Sequence, residues 1–388
     1  MNRFPVSRQI FLASYLLLIA LLPTQKTTAA IYSYDFFYGQ SVTGQPIVDS
    51  FYANLSDNGN AIGFVSLPGQ PQLTSIYHPT TGHSLLGVAE SSFWAVYNSY
   101  QINDAGSVAW TGYDPNFNPV PFLYSGGTLT NPYLGDGAYY FQDINNNDQV
   151  LGLYVETGDS GMFVYEHSLS TKIPDPIGFF RNPLSMSDDG TILFSSFDAD
   201  FNFLGFWLHQ VGTNDFTLLQ MNPAVGGYSF YDARMEIASN GLVSAVVDGY
   251  DVDFNLVEKK LLFFAADGTI RESIGIPMDL YSVRPNGNGE AIAANQDGRI
   301  VKWNGSTWTP VQNKRLPSGV TLTPFDYNIR GDIIGLANGF PGAPDFQSVA
   351  FYATSVPEPG SVLTLSGLLL GFGLRNARNR CKKQTDGR

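Results

Sequence analysis

Short runs of consecutive apolar residues, each introduced by a polar turn, recur along residues 31–355. Leu55-Ser-Asp-Asn-Gly59 precedes Ala61-Ile-Gly-Phe-Val65, and Ile102-Asn-Asp-Ala-Gly106 precedes Val108-Ala-Trp110. Ile144-Asn-Asn-Asn-Asp148 precedes Val150-Leu-Gly-Leu-Tyr154, and Met186-Ser-Asp-Asp-Gly190 precedes Ile192-Leu-Phe194. Ile237-Ala-Ser-Asn-Gly241, the weaker Val283–Gly289 and Tyr327-Asn-Ile-Arg-Gly331 complete the series. From Gly59 through Gly106, Asp148, Gly190, Gly241 and Gly289 to Gly331 the steps are 47, 42, 42, 51, 48 and 42 residues. That is the size of one four-stranded propeller blade.

The chemistry of the turn supports this reading. Asn and Asp side chains bond the nearby backbone, and Gly supplies the positive φ that reverses the chain. The strand that follows is apolar on successive residues, as a strand covered on both faces must be. A second hairpin follows in most units, as in Phe122-Leu-Tyr124 to Leu129 and Val301-Lys-Trp303 to Trp308. These predict the outer strands, with aromatics packed between blades. The expected fold is all-β: a propeller of seven four-stranded blades over 31–355, with an open array of two-sheet sandwiches as the alternative. The last unit lacks an outer strand, and Ile31–Tyr38 is a spare aromatic strand that can latch the ring.

Both ends carry a different pattern. Arg3 and Arg8, the apolar run Phe11–Leu22 and Thr28-Ala-Ala30 form the three parts of a secretory signal. The expected organisation is a signal helix over 1–30, the propeller over 31–355 and a tail over 356–388. In the tail, Val356-Pro357-Glu358-Pro359 leads into an apolar stretch, Ser361–Leu374, and then a basic cluster with Arg375, Arg378 and Arg380. A helix of that length reaches about 21 Å, short of the roughly 30 Å hydrocarbon core. It suits a transient tether, with the basic cluster held on the cytoplasmic side.

The order of these three tail features resembles the PEP-CTERM sorting signal of Gram-negative bacteria. The resemblance implies export to the outer surface or extracellular matrix. It also implies processing by an exosortase-like membrane enzyme and an association with extracellular polysaccharide. The repeat is similar to the HAF-type extracellular repeat, most closely over Pro121–Gly152. Its signature tripeptide is absent, since residues 120–122 read Val-Pro-Phe and 349–351 read Val-Ala-Phe. No chemistry is attached to that family.

Charge narrows the partners. Without residues 1–30 and 360–388 the chain carries 12 basic and 33 acidic side chains. Such a surface repels nucleic acid. The one cysteine, Cys381, lies in the tail, so the ectodomain is held by packing and not by disulfides.

Few constellations suggest chemistry. Gly158-Asp-Ser-Gly161 resembles a serine-protease nucleophile loop, but it falls at a hairpin position of the repeat and lacks a placed histidine base. His78-Pro-Thr-Thr-Gly-His83 reads as a surface hairpin. Three turns repeat one pattern: Asp114-x-Asn116-x-Asn118, Asp198-x-Asp200-x-Asn202 and Asp251-x-Asp253-x-Asn255. Their first reading is plain Asx turns with Phe117, Phe201 and Phe254 as structural plugs repeated blade by blade. The alternative is a Ca²⁺ loop, best at the Asp198 and Asp251 turns. No catalytic residue is assigned, and no other metal or cofactor is expected. The expected function is a non-catalytic surface or matrix propeller that binds polysaccharide. The alternative is a glycan hydrolase or lyase, which needs two converging carboxylates. Isolated acids at rim turns favour binding, whereas a buried pair with Arg and Tyr neighbours favours an enzyme.

Overall fold

A computed structural model describes residues 31–356 except 71, 90–99, 115, 175–179, 222–227, 315 and 344–347. The predicted signal and apolar tail helices, Pro357, Glu358, Pro359 and Arg375, Arg378 and Arg380 lie outside the described residues.

The described chain is a seven-bladed β-propeller. The innermost strands are Asp49–Leu55, Gln101–Ile102, Ala138–Ile144, Phe180–Met186, Tyr228–Ile237, Leu280–Pro285 and Thr321–Tyr327, in blades 1 to 7. Each blade is an antiparallel meander running outwards from its innermost strand. Six have the four strands expected. The seventh has five, because Gln312–Lys314 adds in parallel outside the N-terminal strand.

All seven corner residues picked out by the repeat, Gly59 to Gly331, have positive φ, from 58° at Asp148 to 88° at Gly59. Each corner is the same five-residue turn. In blade 3, Asp148 N donates to Asn145 O at 3.1 Å and Asn145 N to Gln149 O at 3.1 Å. The strand after each corner alternates between two neighbours. In blade 1, Ala61 and Val65 pack with Ile334 and Tyr352 of blade 7, while Ile62 packs with Val108 and Trp110 of blade 2. The core is therefore a set of apolar layers, one between each pair of blades. Consecutive apolar residues are needed because both faces of the strand are interior.

The ring closes by the expected latch. Ile31–Phe36 pairs antiparallel with the last strand, from Ile31↔Val356 to Phe36↔Phe351, and so supplies the missing outer strand. Tyr32 and Tyr34 are buried in the layer between blades 6 and 7. Val356, the first residue of the expected sorting motif, thus lies opposite Ile31, the first residue after the predicted signal. Both ends leave at the corner end of blade 7, where a Cβ on Gly331 would lie 3.8 Å from Ser355 Cβ.

Candidate functional site

The corners converge on the mouth of the central channel, a cavity of about 240 Å³. Two rings of polar side chains build it. The first comes from the residue just before each corner's apolar residue: Asn54, Gln101, Asp143, Ser185, Glu236, Arg284 and Asp326. All but Arg284 line the cavity. In blades 1, 3, 4, 6 and 7 the innermost strand is bulged just before this residue, for example between Phe141 and Asp143 and between Pro324 and Asp326. A bulge re-aims the next side chain, here towards the neighbouring blade. Asp143 Oδ2 accepts Met186 N at 2.6 Å, Ser185 Oγ accepts Ile237 N at 2.9 Å, and Asp326 Oδ2 accepts Leu55 N at 2.7 Å. Asp143 and Asp326 each use the other oxygen on the amide of the following residue.

The second ring lies in the corners themselves. Asn103, Asn145, Asn286 and Asn328 each donate Nδ2 to a backbone carbonyl of the next blade, and Asn328 closes the circle on Ser56 O at 2.9 Å. One residue further, Asp104 Oδ1 accepts Asn58 N, Asn146 Oδ1 accepts Asp104 N, and Asp188 Oδ1 accepts Asn146 N. Asp57 spans the mouth, taking Ser239 Oγ at 2.7 Å and Ile329 N at 3.1 Å. These side chains tie blade to blade across the opening.

Six carboxylates line this one small cavity, and desolvation with neighbouring negative charge raises the proton affinity of Asp104, Asp143, Glu236 and Asp326. Burial, with the nearby Asp188 charge, lifts Asp143 to about 7. Burial lifts Asp326 to about 6 and Glu236 to about 8, with Arg284 opposing both shifts. Glu236 is exposed at the mouth of the channel, with the charges of Asp326, Asp143 and Asp57 set around it. It makes no hydrogen bond to a described residue, unlike Asp143 and Asp326. Arg284 donates to the carbonyls of Phe325 and Val283. Tyr327 turns away from the mouth to Glu290 at 2.9 Å. The sequence marked this set weakly, by a polar residue one place before each corner; only ring closure shows that the seven positions meet.

The other candidates go elsewhere. Gly158 (φ 79°) turns a tight hairpin in blade 3, with Glu156 paired to Asp159. His83 is no surface residue: it packs edge-on to Phe37, its Nδ1 2.8 Å from Tyr52 Oη, and burial lowers it to about 4.

The Asp turns lie at the end of the ring opposite the corners. Asp198 Oδ1 accepts Asp200 N and Asn202 N, and Oδ2 accepts Asn202 Nδ2 at 2.9 Å. Asp251 treats Asp253 N and Asn255 in the same way. These bonds hold Asp198 and Asp251 below the usual carboxylate range. Among the described residues no group of three His, Cys, Asp or Glu side chains is placed to hold a metal. The phenylalanines in these turns are not plugs. Phe117, Phe201 and Phe254 are 70%, 71% and 87% exposed.

The sequence matches no protein-family model and no curated protein. Solved structures share the fold. The β-propeller domain of the Trilobed protease from Pyrococcus furiosus, described as having an open velcro topology, is 9% identical with a TM-score of 0.50, covering 80% of this chain and 97% of that one. YCF48 bound to D1 peptide is 11% identical with a TM-score of 0.48, over 84% and 97% of the two chains. TolB from Acinetobacter baumannii is 13% identical with a TM-score of 0.41, and the match spans 61% of this chain and 56% of that one. At such identities the likeness is one of fold alone.

Proposed function

We propose that this protein is an exported, non-catalytic propeller head, carried on a tail that an exosortase-like enzyme processes, and that it associates with polysaccharide at the cell surface or in the extracellular matrix. One observation carries the non-catalytic part: Asp143 and Asp326, which line the channel mouth with Glu236, each accept two backbone N–H groups. An acid held this way clamps one blade to the next, with each of its oxygens already engaged by a backbone N–H. The sorting part rests on the Val356-Pro-Glu-Pro359 pattern and the basic tail. It agrees with the meeting of Ile31 and Val356 at one edge, which leaves a closed head between the two segments to be removed.

The test is a glycan array and a product assay on the full chain, purified in mild detergent, with and without Ca²⁺. Retention of polysaccharide without release of shorter products is expected. Mass analysis of surface-exposed protein in an exosortase-bearing host is expected to give a chain starting at Ile31 and lacking the basic tail. Intact chain inside the cell, or no glycan bound at all, would sink the proposal.

Glu236 favours a second reading, a glycan hydrolase or lyase. Its carboxyl is held protonated near neutral pH, close to Asp326 and Arg284, as a general acid requires. Product release that Glu236→Gln abolishes would establish that reading in place of the first.

A further inference from the structure

The exposed phenylalanines are costly in a way the fold does not require. Each occupies the fourth place of a five-residue turn closed as the corners are: Phe117 N donates to Asp114 O, and Asp114 N to Asn118 O, both at 2.9 Å. The fourth residue must take positive φ, and Phe117, Phe201 and Phe254 do so at 64°, 60° and 60°. For a side chain with a Cβ that conformation costs roughly 1–2 kcal/mol, and a bulky residue there is an outlier. The same turn occurs in blade 6 at the same connection, with Gly298 in the fourth place. Gly69 and Gly158 supply the positive φ in blades 1 and 3. Glycine therefore serves where only a turn is needed. Blades 2, 4 and 5 instead raise an aromatic ring into solvent, and strained backbone held by its surroundings points to function.

The neighbours of the rings identify what they face. Asp200 and Asp253 directly precede Phe201 and Phe254. Both are exposed, and their carboxylates make no hydrogen bond to a described residue. Tyr133, 81% exposed, stands on the connection between blades 2 and 3 at the same end. The chain ends leave from the opposite end, so a tail-tethered head presents this surface away from its membrane. The rings stand on separate blades around a rim and form no single apolar patch. That spacing suits an extended polymer offering one flat face per unit better than a globular partner. An aromatic face beside a free carboxylate is complementary to an ammonium group, and the ectodomain's negative charge adds long-range attraction for a polycation.

We infer that Phe117, Phe201 and Phe254, with Asp200 and Asp253, form a binding surface for a polysaccharide bearing free amino groups. This rests on the polysaccharide-binding reading above and narrows it to a cationic, amino-sugar polymer. The rings stack on sugar faces, and the carboxylates pair with the ammonium groups.

The test uses the full chain in mild detergent, titrated with soluble chitosan (a glucosamine polymer), fully acetylated chitin oligosaccharides and a neutral β-glucan. Replacing all three phenylalanines by Gly, the residue other blades use, keeps the turns intact, which circular dichroism checks. Chitosan is expected to bind at least about tenfold more tightly than either neutral glycan, a margin of about 1.4 kcal/mol. The triple Gly variant is expected to lose at least about tenfold of that affinity, as hot-spot aromatics do. Asp200→Asn with Asp253→Asn is expected to remove most of the preference for chitosan while leaving weak glycan binding. Unchanged chitosan binding by a folded triple Gly variant would overturn the assignment of the surface. Neutral glycans binding as tightly through the same phenylalanines would overturn the amino-sugar inference but keep the polysaccharide reading. Binding of none of the three would overturn both.

Discussion

At the scale of single residues, the channel mouth shows how a ring of equivalent positions makes unusual acids. Glu236, raised to about 8, holds a proton in the folded state at pH values where the unfolded chain has lost it, because the protein around the channel mouth and the three acids facing it disfavour its charge even though it is exposed to the channel. Asp143 behaves likewise at about 7 and Asp326 at about 6. Carboxyls with raised values stabilise the fold fully below their ordinary range, and that contribution is lost as pH rises through the folded value. His83, lowered to about 4, acts the other way, but only between there and its ordinary 6.5. From pH 6.5 to 8.5 the acids therefore act without His83, and the melting temperature is expected to fall across that interval. Glu236→Gln is expected to flatten the fall and to melt above wild type at pH 8.5. Parallel slopes for the two proteins in differential scanning calorimetry would show that Glu236 is not the source.

Among the elements, the corner is the unit that matters. Asn145 joins two blades: its Nδ2 donates to Ser187 O and to Gln149 Oε1, while its Oδ1 accepts Asn147 N and Gln149 N. Asn145 is buried, so removing its side chain leaves polar groups without partners in the interior. Asn145→Ala is expected to cost about 2–3 kcal/mol in denaturant unfolding. Asn118→Ala, in the exposed Phe117 turn, is expected to cost less than about 1 kcal/mol because water replaces what is lost. Equal costs would mean that the corners only turn the chain and do not tie blades together. The glycines inside the second strands have a related cause. A Cβ on Gly63 would lie 1.9 Å from Phe51 O, and one on Gly335 would lie 2.1 Å from Thr323 O. They stand opposite the bulges that aim the channel residues.

For the whole molecule, ring closure rests on one six-residue strand. Ile31–Phe36 covers the edge of Val349–Val356 and buries Tyr32 and Tyr34. Without it the seventh blade would present an unpaired, apolar edge, the standard template for chain-to-chain pairing. Deleting residues 31–36 is expected to lower the melting temperature by more than about 10 °C, since each lost buried aromatic alone is worth roughly 3–5 kcal/mol. Light scattering is expected to show association of the shortened chain. A monomer with near wild-type melting would mean that the ring does not depend on its latch.

The sequence alone determined the seven-fold repeat, the positive-φ corners, the two-faced apolar strands and the latch. Each follows from local chemistry: an Asx turn needs Asn, Asp and Gly at fixed places, and a doubly covered strand needs unbroken apolar residues. Two things were decided only in three dimensions. Asp143, Glu236, Arg284 and Asp326 come together because closing a ring brings residues from 42 to 183 positions apart to one axis, and no local pattern records that convergence. Phe117, Phe201 and Phe254 look like core residues by type. Their exposure follows from the turn geometry, which places the fourth residue at the tip of a hairpin with no neighbouring blade above it.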